Sequence, residues 1–131
     1  MSIDVHMVDG PLPAVPAGQW TGAGDVETGA VVQFEGIVRA RENGRLIHAL
    51  EYEVYEPMAS SELRRLAENV CRTFELRAVH VEHSRGRVLV GQCAFRLHIA
   101  ARHRAEALRA IEIFMDRLKQ DVPIWKTPVY A

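Results

Sequence analysis

Two lysines near the end of the chain, Lys119 and Lys126, flank an apolar run in "LKQDVPIWKTPVY". An ammonium set among apolar residues must stay solvated, find an anion or give up its charge. A lysine late in a helix also suits the macrodipole, so position alone is compatible with no chemistry at all. A second cationic cluster, Arg102-His103-Arg104, stands where a helix begins. Cations there oppose the macrodipole, but free backbone N–H groups beside guanidinium forks suit a phosphate or carboxylate. Side chains splayed into water are the plain alternative. From Arg104 to Lys119 is about fifteen helical steps, roughly 22 Å at 1.5 Å per residue. One small ligand cannot touch both ends. Either the clusters serve separate sites, or two copies pair so that one copy's 103–104 meets the other's lysines, as a two-fold dimer would allow.

Other patterns carry less. The six histidines include no HExxH, and His80 and His83, three apart on a predicted strand, point to opposite faces. No metal is expected. Glu51 and Glu53 share a strand face and could act as an acid–base pair, but a solvated sheet face is the better account of them. No glycine-rich phosphate loop and no G-x-S-x-G is present. Cys71 and Cys93 match no metal or redox spacing; two buried free thiols are the plain reading, and pairing between them stays open.

The elements that must position these residues fit one domain, residues 1–131. Hydrophobic residues make up 48% and charged residues 25%, the balance of a soluble globular chain. Lys plus Arg at 16 against Asp plus Glu at 17 leaves a net charge of −1, so no global field draws in nucleic acid and any anion site is local. The N-terminal stretch lacks the pattern of a secretory signal and no apolar run is long enough to span a membrane, so a cytoplasmic protein is expected.

Residues 3–8 read as a strand and 9–25 as a Gly- and Pro-rich loop. Residues 29–40 alternate, with Ala30, Val32, Phe34 and Val38 on one face and Gln33, Glu35 and Arg39 on the other. The Asn43-Gly44 turn signal then predicts a hairpin with 46–56. After Pro57, Leu63, Leu66, Ala67, Val70, Cys71 and Phe74 recur at helical spacing. Strands at 77–83 and 91–101 follow, then a helix over 104–119 whose stripe includes Phe114, Met115 and Leu118. Pro123 stops it, and 124–130 is extended. This order gives an α+β fold with a mainly antiparallel sheet and two main helices.

The segments "GAVVQFEGIVR", "LEYEVYEPMA" and "HRAEALRAIEIFMDRLKQDVPIWK" resemble, in collinear order over residues 29–130, the large catalytic subunit of molybdopterin synthase, the MoaE family. The resemblance implies an α/β hammerhead fold and a homodimer carrying a small ubiquitin-like sulfur carrier on each subunit, a heterotetramer in all. It implies sulfur transfer from a thiocarboxylate on the carrier's C-terminal glycine to cyclic pyranopterin monophosphate, forming the dithiolene of molybdopterin, with no cofactor. On the same basis Lys119 and Lys126 are the catalytic pair lining the pocket for the carrier's tail. Arg39, His103 and Arg104 bind substrate, and Phe34 and Met115 lie near the pocket. Departures are Thr127 and Pro128 where the family often has basic and acidic residues, "HSRG" at 83–86 where His-Arg-x-Gly is commoner, a loose Gly-rich stretch at 17–29, and an end at Ala131 where a charged tail is usual. The rival reading is a module that docks a ubiquitin-like tail without transferring sulfur.

Overall fold

The computed structural model of the chain describes residues 2–16 and 25–131. Its elements are β1 (Ser2–Asp9), β2 (Ala30–Ile37), β3 (Arg41–Glu42), β4 (Arg45–Val54), α1 (Met58–Thr73), β5 (Ala78–Leu89), β6 (Cys93–Ala101), α2 (Arg104–Asp121) and β7 (Ile124–Tyr130). The 17–24 part of the expected loop lies outside the described residues. The fold is α+β with a mainly antiparallel sheet and two helices, as expected, and β1 on β5 is the parallel pair.

The strands run in the order β2-β6-β5-β4-β3, with β1 added to β5 and β7 to β4. Strand β5 joins two half-sheets. Its residues 78–83 pair with β6, and its residues 86–89 pair with β4. It is longer than the 77–83 strand expected, because the turn-like "SRG" stays within the strand, Gly86 supplying the φ of +85°.

Alternation places Val79, Val81, Leu97 and Ile99 on one face, where α1 and α2 cover them with Leu63, Leu66, Val70, Ala107, Ala110 and Phe114. Ser60 closes the first turn of α1 by donating from its N–H (3.1 Å) and hydroxyl (2.8 Å) to Glu56 Oε1. A smaller core in the other half-sheet gathers Val38, Ile47, Leu50, Val88 and Ala94.

The predicted hairpin between 29–40 and 46–56 is corrected. Strand β2 pairs with β6, Phe34 opposite Leu97, and only Arg41–Glu42 folds back on β4. Asn43 and Gly44 do make the turn, both with positive φ (54° and 75°). The register shift between Gly36 and Ile37 also takes Val38 off the face of Phe34 and into the smaller core. Arg39 is therefore not in a strand; it lies exposed between β2 and β3.

On the sheet face away from the helices, Arg96 is 2% exposed. It lies opposite Glu35 of β2 and Glu82 of β5 in register. Its guanidinium meets Glu35 at 2.8 Å and Glu82 at 3.2 Å, and donates to the Pro13 carbonyl at 2.8 Å. A guanidinium taken from water needs this many partners. Truncation leaves two carboxylates facing each other, so Arg96→Ala should cost about 3–5 kcal/mol in urea unfolding. A loss below about 1 kcal/mol would show the network to be ornamental.

Candidate active site

Each strand residue beside that ion row presents its neighbour to the opposite face. Gly36, Phe95 and His83 form the next cross-strand row, Gly36 opposite Phe95 and Phe95 opposite His83. Together with Phe34 and Tyr52 they floor a cavity of about 430 Å³. Phe95 packs edge-on to Phe34 (6.2 Å between centroids) and to His83 (5.7 Å), and Tyr52 packs edge-on to His83 at 5.3 Å. Gly36 leaves the space above Phe95 open.

The charged wall comes from the chain's last turn and last strand. Met115, Leu118 and Lys119 come from the end of α2, and Ile124, Trp125 and Lys126 from β7. Val122 and Pro123 end the helix, after which β7 runs antiparallel to β4 with Lys126 opposite Tyr52. Both lysines therefore reach one cavity although seven positions apart in sequence. Glu42 on β3 holds Lys126 Nζ at 3.3 Å. That carboxylate is the more buried partner, with 19% side-chain exposure against 51%. Burial, and then the charge of Glu42, raises the Tyr52 phenol above its usual 10.0, so it is a hydroxyl at neutral pH.

His83 is 6% exposed. Burial holds its imidazole below the ordinary 6.5, against the smaller raising effect of a 2.7 Å hydrogen bond between Nδ1 and the Ser84 carbonyl. A carbonyl only accepts, so Nδ1 carries the proton. His80 points to the opposite face, 3.3 Å from Glu82, as the three-residue spacing required.

Of the residues singled out in the sequence, Phe34, Met115, Lys119 and Lys126 come together. His103, Arg104 and Arg39 do not join them. His103 and Arg104 open α2 and line a separate, shallower cavity of about 480 Å³ with Gly29, Ala30, Arg102 and Ala105. In the segment that leads into Gly29, Asp25 accepts from Arg77 Nε at 2.9 Å and the Glu27 N–H at 3.0 Å. The Arg77 guanidinium, more than that backbone bond, holds the Asp25 carboxyl down at about 2. A Cβ at Gly29 would lie 2.3 Å from the Arg102 carbonyl oxygen, so this approach requires glycine.

Glu51 ion-pairs Arg87 on a partly solvated face and is no acid–base partner of Glu53. Cys71 and Cys93 are both free; Cys71 is buried as expected, but Cys93 is only half-buried, at the start of β6. Tyr52, His83 and Phe95 are the cavity residues that sequence reasoning missed. A histidine in phase with Val79 and Val81, on the apolar face of its strand, was the available signal for His83.

Residues 15–121 match the family model of the MoaE protein. The molybdopterin synthase catalytic subunit of Rattus norvegicus is 36% identical over 102 residues, 78% of this chain and 51% of that protein. The chain thus spans about half the length of this curated relative. It is similar in structure to molybdopterin synthase from Staphylococcus aureus, with a TM-score of 0.83 and 29% identity over 95% of this chain and 90% of that one. It is also similar to a chain in the complex of subunits 1 and 2 of molybdopterin-converting factor from Helicobacter pylori, with a TM-score of 0.78 and 26% identity over 97% and 89%. Among the described residues no helix is long and apolar enough to cross a membrane.

The neutral His83 links the cavity to stability. The unfolded chain takes up a proton near 6.5 and the folded chain only at lower pH, so this contribution is complete above 6.5 and is lost as pH falls below it. Melting temperature should therefore drop between about pH 7.5 and about pH 5.5, and less steeply in His83→Asn. Parallel profiles for the two proteins would contradict the assignment.

Proposed function

Because the chain belongs to the MoaE family, we propose that it is the sulfur-transferring subunit of a molybdopterin synthase. It acts as one domain in the cytoplasm on cyclic pyranopterin monophosphate, with a small ubiquitin-like carrier as sulfur donor. The observation that carries the reading is the convergence of Lys119 and Lys126 on one aromatic-floored cavity. A slender tail ending in an anion fits such a site: apolar walls pack against the tail, and two ammoniums meet the terminal thiocarboxylate. The Helicobacter pylori structure, a complex of two subunits of molybdopterin-converting factor, supports a small-subunit partner.

In the transfer, the thiocarboxylate sulfur bonds to a pterin side-chain carbon as a carbon–oxygen bond at that carbon breaks with its electron pair on oxygen, and the carrier becomes a thioester. Water then adds to the acyl carbon, the C–S bond breaks with its electron pair on sulfur, and the carrier leaves as a carboxylate. Two such rounds supply both dithiolene sulfurs. Negative charge grows on the acyl oxygen in each round, where Lys119 from α2 and Lys126 from β7 stabilise it. Glu42 keeps Lys126 aimed while leaving it half exposed.

Arg39 is a further cation for the substrate, whose phosphate falls to the second cavity, where His103 and Arg104 lie beside the α2 N-terminus. Since α2 separates these residues from Lys119 by about 22 Å, each complete site takes its lysines from one subunit and its 103–104 cluster from the other.

Single-turnover transfer from thiocarboxylated carrier to the cyclic pterin tests the reading. Lys119→Ala should slow it about a hundred-fold, the usual scale for one oxyanion-stabilising group, with little change in melting temperature. Arginine at 119 should not restore it, because a planar fork does not fit a site shaped for an ammonium. Tight carrier binding without product in the unaltered chain would mean a docking module instead. Mixing Lys119→Ala with Arg104→Ala subunits should recover about a quarter of the wild-type rate, since half the dimers are mixed and each has one intact composite site. No recovery on mixing, with each variant a stable dimer, would place both groups within one subunit's site.

A further inference from the structure

The lysine cavity is rich in donors and short of acceptors. Lys119 and Lys126, as ammoniums, and the Trp125 indole only donate. The Tyr52 hydroxyl accepts a hydrogen bond but is no base. Phe34 and Phe95 offer neither, and the Met115 thioether is only a weak acceptor and no base. Sulfur release nevertheless requires a proton acceptor, because water adding to the acyl carbon must lose a proton as the C–S bond breaks.

His83 is the cavity residue equipped for this. Its Nδ1–H is committed to the Ser84 carbonyl at 2.7 Å, which leaves the Nε2 lone pair free. Nε2 makes no hydrogen bond among the described residues, yet it is not among their buried, unsatisfied atoms, so the ring's small remaining exposure includes it. Tyr52 and Phe95 hold the ring edge-on from two sides and fix its plane. Burial among these groups keeps the imidazole neutral.

On the sulfur-transfer reading above, we propose that His83 is the general base of the cavity, its Nε2 taking the proton of the water that releases sulfur from the acyl carbon. Water's oxygen bonds to the acyl carbon, its proton passes to Nε2, and the C–S electron pair departs on sulfur. The imidazolium then returns its proton to solvent. The two lysines stabilise charge, and His83 moves the proton. The other ionisable groups lining the cavity are Tyr52 of β4, Lys119 of α2 and Lys126 of β7, with Glu42 of β3 bound to Lys126. Strands β2 and β6 contribute only Phe34, Gly36 and Phe95.

Three proteins decide the matter: the unaltered chain, His83→Asn and His83→Gln, each with thiocarboxylated carrier and cyclic pterin. Asparagine keeps a donor near the Ser84 carbonyl and removes the base; glutamine restores an acceptor near the Nε2 position without basicity. Both should turn over about a hundred-fold more slowly, bind carrier and pterin with unchanged affinity, and accumulate the thioester-linked carrier–pterin adduct seen by intact mass. The unaltered chain should lose rate as pH falls through a value below 6.5, and the variants should lack that acid limb. Full rate in His83→Asn, or rescue by glutamine, overturns the assignment. If the variants fail to fold, an unaltered chain whose rate is flat with pH in that range overturns it. An unaltered chain that forms no product removes the sulfur-transfer reading and this one with it, whereas active wild type beside an equally active His83→Asn removes this one alone.

Discussion

One buried guanidinium sets the geometry on which the cavity depends. Arg96 of β6 is opposite Glu35 of β2 and Glu82 of β5 in one cross-strand row, with its remaining donor capacity taken up by the Pro13 carbonyl. Because side chains alternate along a strand, the adjoining residues on the other face form the row Gly36–Phe95–His83. A slip of one residue in either pairing would move the charged row into the helix-covered core and the aromatic row to the back. Such a slip is very costly for a buried ion network, so the charges act chiefly as a register lock for the floor they never touch.

The cavity itself lies at the seam between the two half-sheets. Strand β5 belongs to both, first pairing with β6 and then, past Gly86, with β4. The seam brings Tyr52 from one half beside His83 from the other. The closing wall is the α2–β7 corner, where Val122 is buried and Pro123 ends the helix. That corner converts a seven-residue separation into two ammoniums over one floor. It also explains why an apolar run stands between two cations: the run is part of the cavity wall and the cations stand at either end of it.

Much of this was legible in the chain. Alternation gave the correct inward residues for β2 up to Phe34, and the 3.6-residue stripe located both helices. The Asn43-Gly44 turn was right, but its flanking strands were not. An alternating strand announces that it has an apolar face without announcing which neighbour will share its backbone hydrogen bonds. Strand β2 found β6, where Phe34 meets Phe95 and the core over α2, and the chain crossed to the other half-sheet before turning back. Val38 changed cores at the bulge between Gly36 and Ile37, an irregularity with no local signature beyond a glycine.

The sequence by itself determined the order and type of the elements, the family to which the chain belongs, and the two lysines bracketing a helix stop. It also determined, through helix length alone, that the 103–104 cluster and the lysines lie too far apart for one subunit to unite them on a small ligand. Only the tertiary structure decided that Phe34, Tyr52, His83 and Phe95 share the lysines' cavity, that Glu42 holds Lys126, and that Arg39 lies outside the strand. The physical reason is that periodicity records which face of an element must leave water. Which partner covers that face is chosen by the packing of the whole core, through contacts between residues far apart in the chain.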